Sequence, residues 1–398
     1  MDIFRNKLRI PTALVLLAVV LTACAPTPTA LPPTGMPTAS ETPLVLPSPN
    51  TEDTLAAPLP NLPTVSAPSL SRIEMQDVLH GWGVTDTNLV RTLDGGTTWH
   101  DVTPPGVTRL GLSSSVYFLD PDHGWLVIPS TDFQTDTLYH TTDGGLTWSS
   151  GTQPFGGGIL FFADEDTGFI LVDRGAAAGS QAVDLYSTQD GGTTWSAAYV
   201  MQPGVGGNVN TLPFSGQKSG VTFSDSLHGW VGGNIPMEGN VYLYATQDGG
   251  HTWTKQPVTL PAGYTNAMTE VFQSRFFTSS DAVIPMRMMA VNFAFDFLVS
   301  HDGGMTWAAT TPVLAGGQYS IPTIQDFFVW DGGTSLSVSH DGGSTWTSVT
   351  PNLNVTDILM KFVFVDASNG WMLTSDASNH HSLYRTSDGG QTWNPLIP

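Results

Sequence analysis

From about residue 69 to the end, the chain alternates short apolar runs with clusters of turn-forming residues. The runs at 115–119, 125–128, 159–162 and 361–365 are each bounded by Gly, Pro, Asp, Asn or Ser. Runs this short, rich in Val, Ile, Phe, Tyr and Trp, predict β-strands closed by tight turns. The turns are written in a fixed vocabulary. Thr141-Thr-Asp-Gly-Gly-Leu-Thr-Trp148 has counterparts centred on Asp94, Asp190, Asp248, Asp302, Asp341 and Asp388. Together with Asp143 they span 294 residues in six intervals, a mean period of 49. A fixed period of that size is the mark of a repeat architecture.

Each box suits a hairpin turn. The Asp carboxylate can accept from the backbone N–H groups that follow it, and the glycines supply positive φ at little steric cost. The boxes end in Trp99, Trp148, Trp195, Trp253, Trp307, Trp346 and Trp393. A buried indole removes roughly 150–250 Å² from water, a gross upper figure of about 4–6 kcal/mol per repeat. The boxes therefore read as structural.

A second motif runs in step with the first. Asp77-Val-Leu-His-Gly-Trp82 returns at 120–125, 164–169, 225–230 and 366–371, with worn copies near 279–284 and 324–329. Each repeat thus reads strand, Asp-turn, strand, variable loop, strand, Asp box, strand. The expectation is an all-β fold, a seven-bladed β-propeller of four-stranded antiparallel blades. The first repeat starts with an inner strand near 72–76 and the last ends with an outer strand near 392–397. Closure then rests on packing between the first and last blades, with an edge strand from the Pro-rich segment upstream as an open alternative.

In this meander both Asp motifs fall on one face and the variable loops on the other, where recognition is usually carried. The longest loops are expected at 198–220 and 255–275, followed by 173–184 and 374–382. They hold the partner-binding candidates Tyr199, Phe214, Tyr264 and Arg275, with Arg174, Lys218 and the pair His380–His381 beside them. Aromatic and Arg side chains suit protein or glycan recognition.

Charge narrows the partners. With 13 Lys and Arg against 34 Asp and Glu the net charge is −21, which argues against nucleic acid and anionic lipid. The N-terminus is a targeting segment: Arg5, Lys7 and Arg9 precede the apolar stretch 13–21, then Leu21-Thr-Ala-Cys24. It is too short to span a bilayer and reads as a secretory signal over 1–23. Leu21-Thr-Ala-Cys24 resembles the lipobox of bacterial lipoproteins, which implies acylation of Cys24, the one cysteine in the chain. Residues 24–68 then form a tether. Positions 25–68 hold 12 prolines and 11 Ser or Thr, a composition that predicts an extended segment reaching up to roughly 130 Å. The propeller occupies 69–398, lipid-anchored to the cell membrane and extracytoplasmic.

Ser/Thr-x-Asp-x-Gly-x-Thr-Trp resembles the Asp box, or bacterial neuraminidase repeat, and covers the chain from about residue 69. Sialidases, two-propeller xyloglucanases, sortilin-type receptors and photosystem II stability/assembly factors carry it. Seven boxes paired with Asp-x-x-His-Gly-Trp turns look most like the last group. That resemblance implies a non-enzymatic propeller that binds a protein, a membrane protein among the candidates, on the extracytoplasmic side. The alternative is a glycan-binding or sialidase-like glycan-cleaving propeller.

Sialidases use three arginines on the substrate carboxylate, a Tyr–Glu nucleophile pair and an acid Asp. Here the Arg-Ile-Pro of that family occurs as Arg9-Ile10-Pro11, inside the signal. Between 69 and 398 only seven arginines remain, with four glutamates, Glu74, Glu165, Glu238 and Glu270. No catalytic residue, metal or cofactor is assigned. His80, His123 and His228 belong to the repeat motif. His380–His381 with Asp376 lacks further ligands at a known spacing, and Asp164-Glu-Asp-Thr-Gly168 resembles part of a Ca²⁺ loop without its closing Glu.

Overall fold

A computed structural model describes residues 62–110, 114–201 and 210–397. The expected signal over 1–23, Cys24 and most of the expected tether lie outside the described residues. Within them the fold is all-β, with no helix. In repeat 1 the inner strand Arg72–Met75 pairs antiparallel with Gly81–Val84, then Leu89–Thr92, then the outer strand His100–Asp101. The same four-stranded order recurs in repeats 2, 3, 6 and 7.

Repeats 4 and 5 depart from it by sharing one ten-stranded sheet, joined where Asn234 pairs with Glu270. In repeat 5 the inner strand is split into Met268–Val271 and Arg275–Phe276, both paired to Ala282–Met289. The residues between them bulge from the ladder, and Gln273 Nε2 donates to Val221 O at 2.7 Å. The expected loop at 255–275 is therefore corrected: its C-terminal part is strand. The expected loop at 173–184 is likewise mostly ladder, because Thr167–Ala177 and Ser180–Gln189 run on to a tip where Ala178 and Gly179 both take positive φ.

Packing between repeats explains the second motif. The aromatic residue after the turn glycine, or after Phe327 where that replaces the glycine in repeat 6, stacks on the inner-strand Phe of the next repeat. Trp82 lies on Phe118 at 4.5 Å, Trp125 on Phe162 at 3.7 Å, Phe169 on Phe223 at 3.4 Å and Phe328 on Phe364 at 3.8 Å. The glycine before it leaves room for its own repeat's Phe: a Cβ on Gly168 would meet the Phe162 ring at 2.4 Å, and one on Gly229 the Phe223 ring at 2.5 Å.

Seven apolar clusters each draw on two consecutive repeats, and one of them joins the last repeat to the first. There Trp371 and Leu383 of repeat 7 pack with Leu70, Ile73, Met75 and Trp99 of repeat 1. Trp371 Nε1 donates to Gly95 O at 2.8 Å, and Arg385 Nη2 to Val78 O at 3.4 Å. The upstream segment also engages before Ser69. Thr64 bridges antiparallel to His100, Val65 N donates to Trp99 O and Asp101 N to Pro63 O, each at 2.8 Å. Leu62 and Val65 pack on the clusters flanking repeat 1, so pairing begins upstream of Ser69. The apolar side chains of an otherwise Pro-rich stretch find partners on an outer strand only two residues long.

Candidate functional site

The Asp boxes form one closed hydrogen-bond net, repeated seven times. In repeat 2, Asp143 Oδ1 accepts from Thr147 N at 2.9 Å, and Oδ2 from Thr147 Oγ1 at 2.6 Å. Thr141 Oγ1 donates to Asp143 Oδ1 at 2.9 Å and accepts from Gly145 N at 2.8 Å. Asp94, Asp190, Asp248, Asp302, Asp341 and Asp388 accept from the N–H and hydroxyl of the Thr four residues on in the same way. Every carboxylate oxygen is thus used inside its own turn. The Thr306 and Thr345 hydroxyls, then the backbone N–H groups beside them, hold Asp302 and Asp341 down to about 2.

The box tryptophans fall into two arrangements. Trp99, Trp253 and Trp393 are buried and donate to the second glycine carbonyl of their own box; half-buried Trp195 donates likewise. Trp148 and Trp346, half-buried, instead donate to Val102 O and Thr311 O of the preceding repeat. Half-buried Trp307 leaves Nε1 without a partner among the described residues. Full burial of the indole is therefore a property of three boxes, not all.

In the companion turns, His80, His123 and His228 Nδ1 lie 2.7 to 2.8 Å from Asp77, Asp120 and Asp225. The worn copies keep the chemistry by rearranging it. Thr278 and Thr323 cap the turn, Asp281 and Asp326 end it, and the histidine comes from just before the box: His301 and His340 lie at 2.7 and 2.6 Å. Asp376 caps the 374–382 loop through Ser378 N and His380 N, and His381 Nδ1 lies 3.3 Å from Ser69 Oγ. Asp164 closes its turn on Asp166 N and Thr167 N. Among the described residues no three metal-ligating side chains gather.

The four partner-binding candidates sit in different local settings. Tyr199, on the outer strand Ser196–Val200, packs half-buried on the cluster between repeats 3 and 4, its hydroxyl donating to Leu212 O at 3.4 Å. Phe214, close by, exposes its ring while its carbonyl accepts from Gln181 N. That segment is pinned by Lys218, whose buried ammonium donates to Gln181 O, Pro213 O, Phe214 O and Gly216 O and lies 5.3 Å from the Tyr242 ring. Desolvation lowers this lysine to about 8. Tyr264 packs half-buried between repeats 4 and 5. Arg275 is not on a loop at all: it sits in an inner strand, its guanidinium 5.2 Å over the Phe277 ring.

Arg275 belongs to a set that motif reading missed. Inner strands alternate, with Ile73 and Met75 buried while Arg72 is exposed and Glu74 half-buried. Glu74, Tyr117 and Arg275 lie opposite Trp82, Trp125 and Val283, the same level in repeats 1, 2 and 5. Arg72 and Lys361 lie opposite Val84 and Leu373, one level nearer the loop face. Arg72 Nη2 is 3.3 Å from Glu74 Oε2. Arg275 and Lys361 are exposed to water; desolvation by the surrounding protein, partly offset by the Glu74 charge, lowers both. The Tyr117 hydroxyl, raised by burial, donates to Phe162 O at 2.8 Å. Period-two alternation in the inner strands was the available signal.

Surface clefts of about 110 Å³ beside His140 and Gly191 and about 220 Å³ beside His301 and Asp341 lie between repeats. Both are below the roughly 300 Å³ at which ligand pockets begin.

No protein-family model and no curated protein matches the chain. Among solved structures it is similar to YCF48 bound to D1 peptide, at 20% identity and TM-score 0.49 over 82% of this chain and 94% of that one. It is similar to YCF48 from Cyanidioschyzon merolae at 19% and 0.46, over 83% and 97%. It is also similar to a PL25 ulvan lyase at 10% and 0.50, over 83% and 94%. At these identities the likeness is one of fold, and the fold is a β-propeller.

Proposed function

We propose that this chain is a lipid-anchored, extracytoplasmic, seven-bladed β-propeller that acts as a non-catalytic scaffold, binding a protein through the face opposite its Asp boxes. The basic and apolar start ending in Cys24 supports the anchor. Seven boxes, with seven clusters each shared by consecutive repeats, support the blade count. One observation carries the binding face. Of the exposed large hydrophobic side chains among the described residues, only Leu146, Leu227 and Met305 lie on the box face. Phe133, Val200, Phe214, Met237, Val291, Phe293 and Leu314 lie on connections or strand ends at the opposite end, Val291 being 99% exposed and Leu314 64%. Exposed apolar side chains gathered on one face mark interaction surfaces, and the aromatic ones suit a protein partner. The box face carries instead a double set of turn aspartates, all engaged within their own turns.

The scaffold reading also fits the glutamates. Glu74 and Glu270 are paired with Arg72 and Arg287, and Glu165 lies 3.6 Å from His123, so these three face basic partners rather than a second carboxylate. The test is purification of the intact protein from its native membrane. A stoichiometric membrane-protein partner is the expected result, and Cys24→Ala should abolish acylation and weaken membrane retention of the propeller. A bound glycan that the protein hydrolyses would replace this reading with a glycan-cleaving one.

A further inference from the structure

The axial residues present an electrostatic arrangement at odds with the rest of the molecule. From residue 69 on, the chain has ten Lys and Arg in all, and three of them, Arg72, Arg275 and Lys361, project from inner strands around one carboxylate, Glu74. Arg72 takes that carboxylate at 3.3 Å. Arg275 and Lys361 have no hydrogen bond and no ion pair among the described residues; the Arg275 guanidinium lies 5.2 Å over the Phe277 ring, and both cations feel the Glu74 charge. Of the cations away from the axis, Arg91 holds Gly144 O and Asp122, Lys218 holds four carbonyls and Arg287 holds Glu270, while Arg109 and Lys255 stand exposed on the outside. Three cations thus gather around a single carboxylate already taken by Arg72, which leaves positive charge in excess at Arg275 and Lys361.

We propose that the channel lined by Arg275 and Lys361 is a binding site for a carboxylate group. The planar guanidinium of Arg275 offers a two-pronged donor to the two oxygens. Lys361, on a strand across the channel wall and one level nearer the loop face, supplies a point charge to the same group. Tyr117, at the level of Arg275, has its hydroxyl committed to Phe162 O and presents its ring beside Phe161, 5.4 Å away, as an apolar wall. Glu74 limits affinity as a competing internal anion. The carboxylate can come from a free organic acid or from a sugar acid, and the site is independent of the protein-binding face proposed above.

The test uses the full-length protein at low ionic strength, with calorimetric titration of succinate and of digalacturonate, and uncharged succinamide as control. Saturable binding of either acid, and none of succinamide, is expected; which acid binds more tightly identifies the source. Arg275→Gln should weaken it by about tenfold or more, Lys361→Met by a similar factor, and Glu74→Gln should strengthen it. Because neither Arg275 nor Lys361 makes a hydrogen bond, both variants should melt at or above the wild-type temperature without ligand; a cation with a purely structural role would lower it. Binding of neither acid at millimolar concentration overturns the proposal. So does equal binding by wild type and the Arg275→Gln/Lys361→Met double variant.

Discussion

A box aspartate and its tryptophan do different work, and the structure separates them. Asp143 satisfies donors of its own turn, so Asp143→Ala should destabilise by about 1–3 kcal/mol by leaving those donors unpaired. Trp99 is 1% exposed, and Trp99→Ala should fall in the range of about 3–5 kcal/mol that large core truncations reach. Trp148 is half-buried and reaches across to Val102 O, so Trp148→Ala should cost less than Trp99→Ala; equal losses in denaturant titrations would refute the two arrangements. The carboxylates also set an acid limit. Asp302 and Asp341 lie at about 2 when folded, below an unfolded value of about 3.9. Their stabilisation is complete above pH 4 and is lost as pH falls through 2. Asp136 has the opposite sign. Burial raises it to about 6 although Gly157 N donates to it, so its contribution is full below pH 4 and is lost as pH rises through 6. Asp136→Asn should therefore raise the melting temperature at pH 8 relative to wild type and leave it little changed at pH 4.

At the scale of the element, the turn glycine and the aromatic after it act as a joint between repeats. Gly168→Ala would drive a methyl to within 2.4 Å of the Phe162 ring, and Phe162 is itself stacked on Trp125 of the previous repeat. The variant should lose cooperativity as well as stability, visible as a broadened melt, whereas Gly106→Ala, where a Cβ meets nothing within 4 Å but φ is positive, should show only the modest cost of its backbone conformation. A sharp, unshifted melt for Gly168→Ala would contradict the joint. Strand order was legible where Asp-x-x-His-Gly-Trp and the box were both intact, because turn chemistry and period-two strands agree there. It was illegible in repeat 5, where the turn begins with Thr278, Ala282 replaces glycine and a bulge splits the inner strand. The sequence pattern therefore places Arg275 at the end of a loop, whereas it lies in the inner strand Arg275–Phe276. The histidines at 301 and 340 also escaped notice, since their Asp partners sit on another strand pair and no spacing rule links them.

For the whole molecule, the ends meet without exchanging a strand within the repeats. Trp371 and Arg385 hold repeat 7 to repeat 1, and Val65 adds an upstream cover on Trp99. Neighbour-only contact makes such a joint a point where opening begins, so Trp371→Ala should speed amide exchange in repeats 1 and 7 before repeats 3 and 4. Uniform acceleration would contradict closure by packing. Function is less legible than fold because the box motif specifies turns, while the binding face is drawn from residues outside it. The measurement that bears most directly on the scaffold reading is site-specific photo-crosslinking in intact cells, with the crosslinker at Phe293 or Leu314 on the loop face and at Leu227 on the box face. One recurrent protein adduct from Phe293 and Leu314, and none from Leu227, is expected. An adduct confined to Leu227, or none at any position alongside measurable glycan hydrolysis by the purified protein, would contradict it.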